Sequence, residues 1–309
     1  MPDFTHTPVL LDEVIEALQP RDGGVYADGT LGGGGHSEAI LRASSPTGWL
    51  YGSDRDGAAL EAAAARLAQY SGRFEFRRGN FAELADWIKH GSCDGVLLDL
   101  GVSSPQMDMR ERGFSIQQDG PLDMRMDTRQ PLTAAELVNG WSDNELARIF
   151  REYGDEPQAR RFARAIVEDR QRYRFERTGQ LASLIERLAP RHGKKRHPAT
   201  QVFQALRIAV NDEIGSLKSG LAAAFTILRP GGRMAIITFH SLEDRVVKEF
   251  GREKARDYTF EGEMDVPELR KPKTPELKWV QRKAIQPSES EVEKNPRARS
   301  AQLRVMEKL

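Results

Sequence analysis

The stretch Asp28-Gly29-Thr30-Leu31-Gly32-Gly33-Gly34-Gly35-His36-Ser37 sets a carboxylate and a glycine run directly after a strand-like segment, Gly24 to Asp28. Glycines at such a place let the chain turn sharply into a helix N-terminus and let a ligand approach the backbone. Asp54 closes the next strand pattern. A carboxylate there can accept both hydroxyls of an adenosine ribose. Asn80-Phe81 follows the third strand, where Phe81 can lie on an adenine ring or serve as ordinary core. Together these residues specify a nucleoside-containing ligand.

The spacing narrows the choice. Asp28 lies four residues before Gly32, as in the Asp-x-Gly-x-Gly-x-Gly turn that binds S-adenosylmethionine, with Thr30 in place of the first glycine. The run departs from the Gly-x-Gly-x-x-Gly of pyrophosphate-binding turns. A second constellation, Asp99-Leu100-Gly101-Val102-Ser103-Ser104-Pro105-Gln106, follows the fourth strand at the sheet edge where substrates bind. An exocyclic amine conjugated to its ring is a poor nucleophile, and acceptors on its hydrogens draw out the lone pair. Asp99, Ser103, Ser104 or the local carbonyls are the candidate acceptors; the Asn/Asp-Pro-Pro-Tyr tetrad is absent. His240, in Thr238-Phe239-His240-Ser241-Leu242-Glu243-Asp244-Arg245, is a candidate for substrate contact or proton acceptance. Ser241-x-x-Asp244 reads as a capping box for the next helix. Cys93 precedes its strand on the side away from these residues, which argues against covalent cysteine attack on a pyrimidine. Direct methyl displacement needs no metal.

The elements that must position these groups alternate. Strand patterns at Gly24–Asp28, Trp49–Asp54, Arg73–Arg77 and Gly95–Asp99 are separated by helical ones near 37–43 and 58–68, which specifies a parallel, doubly wound α/β sheet. From 104 to 200 the periodicity is helical, as in Leu146, Ile149, Phe150 and Tyr153, so a helical domain is expected to interrupt an α/β domain formed by 1–103 and 201–309. A helix near 211–228, stopped by Arg229-Pro230-Gly231-Gly232, precedes a strand Arg233–Phe239. Weaker strands near 279–285 and 301–306 would complete seven, and 255–278 reads as a long surface loop.

Composition sets outer bounds. Lys+Arg and Asp+Glu are both 46 in 309 residues, so phosphate contacts must come from local patches, Arg191–His197 and Arg297-Ala298-Arg299 being two. A solvated loop is the alternative for each. One cysteine excludes an internal disulfide and a multi-cysteine zinc site. No apolar run approaches the roughly 18 residues of a membrane span. A cytoplasmic setting with no membrane partner is expected, and the sequence leaves room for a homodimer.

Taken together the motifs resemble the MraW-type small-subunit ribosomal RNA methyltransferases. The likeness runs from His6-Thr7-Pro8-Val9-Leu10-Leu11-Asp12-Glu13 through the glycine turn, Asp99–Gln106, Arg112-Gly113-Phe114-Ser115 and Asp119–Asp127. It continues in His197-Pro198-Ala199-Thr200, Phe203–Ile208, Phe239–Arg245 and Asn295–Ser300. Ile116 and Thr238 depart from the usual aromatic and serine. The resemblance implies a Rossmann-like methyltransferase that methylates the N4 amine of a cytidine in the decoding region of 16S RNA, and the net charge balance points to that RNA within an assembled or nearly assembled small subunit. It implies donor contacts from Gly34, Gly35, His36, Asp54, Phe81, Asp99 and Gln106, a helical insertion closing over the substrate, and a functional Asp123, Arg125 and Asp127 loop that would otherwise read as a salt-bridged surface. Rivals are an amino methyltransferase acting on DNA or protein and a non-catalytic RNA-binding assembly factor. An NAD-dependent oxidoreductase lacks a hydride-transfer partner in the expected second domain.

Overall fold

A computed structural model describes residues 8–191, 197–260 and 265–309. The chain forms two compact units, Met1–Gly101 with Ile214–Leu309, and Val102–Glu213. The first holds a seven-stranded sheet. Its strands are β1 (Val25–Asp28), β2 (Trp49–Asp54), β3 (Phe74–Arg78), β4 (Cys93–Asp99), β5 (Leu228–Thr238), β8 (Leu277–Trp279) and β9 (Gln302–Lys308), in the order β3-β2-β1-β4-β5-β9-β8. Neighbours from β3 to β5 are parallel, and β9 returns antiparallel on β5 and β8. Val96, Leu97 and Leu98 are fully buried, as expected of a central strand covered on both faces. The helices α1 (Leu11–Leu18), α2 (Gly35–Ala43) and α3 (Gly57–Arg66) belong to the first half of this unit, and α10 (Glu213–Ile227) and α11 (Ser241–Ala255) to the second.

Two sequence expectations are corrected here. Arg229-Pro230-Gly231-Gly232 does not separate a helix from a strand: β5 starts at Leu228, directly after α10. The register jumps from Cys93↔Leu228 to Gly95↔Arg233, so the turn-forming residues bulge out of a strand that has already begun. The segment 255–278 is not all loop. Within it β6 (Tyr258–Phe260) and β7 (Arg270–Pro272) form a separate antiparallel ribbon. Arg270 stacks on Tyr258 at 4.1 Å and Arg256 lies 5.1 Å from the same ring, while Asp265 accepts from both Tyr258 Oη and Arg270. Cation–π and charge-assisted contacts substitute there for an apolar face, which hydrophobic periodicity does not register.

The second unit is helical: α4 (Ser104–Asp108), α5 (Ala134–Gly140), α6 (Asp143–Glu152), α7 (Ala159–Asp169), α8 (Thr178–Leu188) and α9 (Thr200–Asn211). Thr133 with Glu136 and Ser142 with Glu145 close reciprocal caps that start α5 and α6. The faces they present, Leu137, Leu146, Phe150, Phe162, Ile166 and Leu181 among them, bury one another in a single core. Asn211, 3% exposed, donates to Met124 O and accepts from Met126 N, fixing the 121–127 loop on α9. Within that loop Arg125 pairs with Asp123 at 2.8 Å and Asp127 pairs with Arg129 at 2.7 Å. Of the basic run after α8, Arg191 pairs with Glu186 and His197 starts the turn into α9, while 192–196 lie outside the described residues. So do His6 and Thr7.

Phe150 is fully buried in this unit, so Phe150→Ala should lower unfolding free energy by about 3–5 kcal/mol, the usual cost of deleting a core phenyl ring. Urea denaturation followed by circular dichroism measures it.

Candidate active site

The carboxyl ends of β1, β2 and β4 bring three acids to one edge of the sheet: Asp28, Asp54 and Asp99. Each has a defined job or lacks one. Asp28 is almost wholly buried and accepts from Thr30 N at 3.1 Å and Ser37 Oγ at 2.7 Å, which closes the turn onto α2. Asp54 accepts from Gly32 N and Asp56 N, both at 2.8 Å, one bond to each oxygen. A carboxylate has about four lone-pair sites, so two remain for a ligand. Asp99 is different: its backbone N–H donates to Thr30 Oγ1 at 2.6 Å, but its buried Oδ1 has no hydrogen-bond partner. Thr30, which stands in place of a glycine, thus ties the turn to the end of β4.

The turn itself is shaped by close approach. Gly34 caps α2 with φ of 77°, and a Cβ there would sit 3.2 Å from Ala63 Cα. Gly35 and His36 open α2, whose first backbone N–H groups have no helical acceptor. His36 is 7% exposed; its Nε2 lies 2.9 Å from Val9 O, so that nitrogen carries the proton, and Nδ1 is 3.8 Å from Asp99 Oδ2. Phe81 opens the short 3-10 helix Phe81–Asp86, capped by Asn80, whose side chain also donates to Ser216 Oγ on α10. A Cβ on Gly29 would fall 2.7 Å from that of Phe81, and one on Gly220 of α10 would overlap the Phe81 ring, which packs against the core of the first unit.

His240 departs from expectation. The cap of α11 is His240, not Ser241: Nδ1 accepts from Glu243 N at 3.4 Å, and Glu243 Oε2 accepts from the backbone N–H groups of Phe239 and His240. The box uses the frame one residue earlier because that frame puts a glutamate, the usual partner, at its third position. Asp244 instead pairs with Lys248 and Arg304. His240 Nε2 is 3.1 Å from Glu243 Oε1 but makes no hydrogen bond. Glu243, 2% exposed, was not singled out by the sequence, though the same earlier frame contains its signal.

Ser103, Ser104 and Gln106 belong to the helical unit. Ser103 caps α4, with its Oγ accepting from Gln106 N at 3.4 Å and Gln106 Oε1 accepting from Ser103 N at 3.0 Å. Ser104 is the first residue of that helix. Cys93 begins β4 at the opposite end from Asp99, and burial pushes its thiol up to about 12.

The electrostatics have one theme. Burial raises Asp28; burial raises Asp54 to about 6; burial, then the neighbouring Asp28 and Glu243, raises Asp99 to about 8. Among the described residues no Lys or Arg pairs with any of the three. Such a cluster suits a cationic ligand that also carries a ribose, and the orphaned Asp99 Oδ1 is an acceptor with nothing to accept from. The residues present therefore fit S-adenosylmethionine, whose sulfonium and ammonium are the missing charges.

The strand order, with an antiparallel strand inserted beside β5 and acids on the carboxyl ends of β1 and β2, defines a Rossmann-like class I methyltransferase. Residues 3–309 match the MraW methylase family, and the chain belongs to that family. It is 51% identical to the ribosomal RNA small subunit methyltransferase H of Symbiobacterium thermophilum over 99% of this chain and 97% of that one. To the protein of the same name from Geobacter sulfurreducens it is 52% identical, over 99% of both chains. Among the described residues no helix is long and apolar enough to cross a membrane.

The raised carboxyls carry a sign for stability. The folded ligand-free protein holds protons that the unfolded chain has lost, so stability falls as pH rises from about 4 through about 8. Asp99→Asn removes one of these penalties. Its melting temperature should exceed that of the wild type at pH 8 and converge with it toward pH 4; a constant difference across that range would refute the assignment.

Proposed function

We propose that the protein transfers a methyl group from S-adenosylmethionine to the N4 amine of a cytidine in the decoding region of small-subunit ribosomal RNA. The observation that carries this is the orphaned Asp99 carboxyl at the end of β4, in a protein of the MraW methylase family whose relatives are named for small-subunit RNA methylation. When bound, the donor supplies an electrophilic methyl on a sulfonium.

The chain's own residues then have distinct tasks. Asp54 holds the ribose through the lone pairs that Gly32 and Asp56 leave open. Phe81 covers the adenine, and Gly34, Gly35 and His36 receive the donor on the turn. Asp99, raised to about 8 by burial and then by Asp28 and Glu243, gives up its proton more readily when positive charge is placed beside it, since an opposite charge favours the charged form. As a carboxylate it accepts from the amine, drawing the lone pair toward in-line attack. A flipped cytidine is the geometry such attack needs. Gln106 is assigned to the donor from the family resemblance, and Ser103 and Ser104, which follow β4 in sequence, are candidate acceptors for the amine beside Asp99. His240 has Nδ1 committed to the helix cap, so any proton it takes must add there at the cost of that cap. That favours Asp99 and solvent as the proton's route.

Three measurements test this. Methyl transfer from labelled donor to small subunits lacking the modification should yield N4-methylcytidine on nucleoside analysis; transfer to DNA or to protein alone would replace the reading. Donor titration by calorimetry in buffers of different ionisation enthalpy should show proton release at pH 7 in the wild type and little in Asp99→Asn. Asp54→Ala should weaken donor binding at least tenfold, about 1.4 kcal/mol, and near-normal affinity would remove Asp54 from the donor site.

A further inference from the structure

We propose that Arg299 binds a backbone phosphate of the RNA strand next to the nucleotide being methylated. The inference rests on the RNA-methylation reading above and adds a contact that the donor site does not explain. Its basis is a rigid turn at a telling place.

β9 runs antiparallel to β5 with Thr238 opposite Gln302, so the last residue of β5 faces the first of β9. The 3-10 turn Pro296–Ser300 immediately precedes β9. It therefore lies at the sheet edge where β1, β2 and β4 end in Asp28, Asp54 and Asp99, and where β5 runs into His240.

The turn is anchored through its middle. Ala298 is 0% exposed and lies in the core cluster that also holds Val9, Leu10, Ile237 and Leu303, with Phe239 against the same cluster. Ala298 N donates to Asn295 O at 2.9 Å, Ala301 N donates to Ala298 O at 2.8 Å, and Asn295 Oδ1 accepts from Arg297 N at 3.3 Å. The segment Val9–Leu10 of that cluster is fixed as well: Leu10 N donates to Glu291 Oε1 at 2.8 Å, and Val9 O takes the ring N–H of His36. Arg297 and Arg299, on either side of the buried alanine, are both exposed.

Arg297 has a partner within the protein; Arg299 has no ion pair with the described residues. A guanidinium presents a planar fork of donors matched to phosphate, and a rigid turn leaves little backbone entropy to lose on contact. With equal numbers of basic and acidic residues, the chain has no general attraction for RNA, so a single well-placed arginine matters more than it would on a basic surface.

The test uses the full chain with small ribosomal subunits lacking the modification, by filter binding over a potassium chloride series. Arg299→Ala should weaken binding several-fold at low salt and flatten the slope of log K against log salt by about 0.7–0.9, the share of one phosphate. Arg299→Lys should keep most of the slope. Donor affinity and melting temperature should not move in either variant. Unchanged subunit affinity and slope in Arg299→Ala, beside a wild type that binds and methylates, would overturn this contact alone. Equal loss in the alanine and lysine variants with an unaltered slope would overturn it too, by showing a contact other than phosphate. A wild type that neither binds nor methylates the subunits would overturn the RNA reading and this proposal with it.

Discussion

Burial of like charge at the ends of adjacent strands is the constraint on which this structure turns. Asp28, Asp54 and Asp99 are brought together by a parallel sheet whose central strands are too apolar to lie anywhere but in the middle. Two of these acids are used by the backbone: Asp28 closes the turn through Thr30 and Ser37, and Asp54 holds Gly32. The third has no such use. The turn after β1 is thus tied to both neighbouring strands by its own hydrogen bonds, through Asp54 to β2 and through Thr30 to β4, while Asp99 Oδ1 is left without a partner.

The rest of the first unit keeps that edge in place. The returning strand β9 seals β5, and the segment at Val9–Leu10 links three features otherwise far apart in sequence: helix α2 through His36, helix α12 (Glu289–Lys294) through Glu291, and the turn around Ala298 through the core they share. The helical unit satisfies itself. Its caps, its core and the Asn211 clamp on the 121–127 loop are all internal to it.

The parallel strands were legible because each is a short apolar run or, as in Phe74-Glu75-Phe76, an alternating one ended by a turn signal, and the carboxylates at the ends of β1, β2 and β4 follow from position alone. The glycine turn was legible for the same reason. What escaped was set by polar contacts with no period. The β6–β7 ribbon is built from arginines on aromatic rings and from Asp265, so its sequence reads as charged loop. The bulge in β5 hides behind residues that ordinarily end an element. The cap of α11 went to His240 because a histidine nitrogen can do what a serine oxygen does, and the tertiary pairing of Asp244 with Arg304 withdrew that acid from the competing frame. Thr30 was visible only as a departure from a glycine pattern; its bond to Asp99 N, which joins the turn to β4, is a long-range contact that no local rule encodes. The proton-holding character of Asp99 depends on burial beside Asp28 and Glu243, a three-dimensional fact.

The chain's single thiol has a practical consequence. Cys93 is fully buried at the start of β4 and holds its proton to high pH, so it offers almost no thiolate to an alkylating reagent at neutral pH. A cysteine introduced on an exposed position would therefore be the one site to take a maleimide dye, with no need to delete the native residue first. Fluorescence from such a label would report distances and motions in a protein whose own sequence is otherwise unaltered.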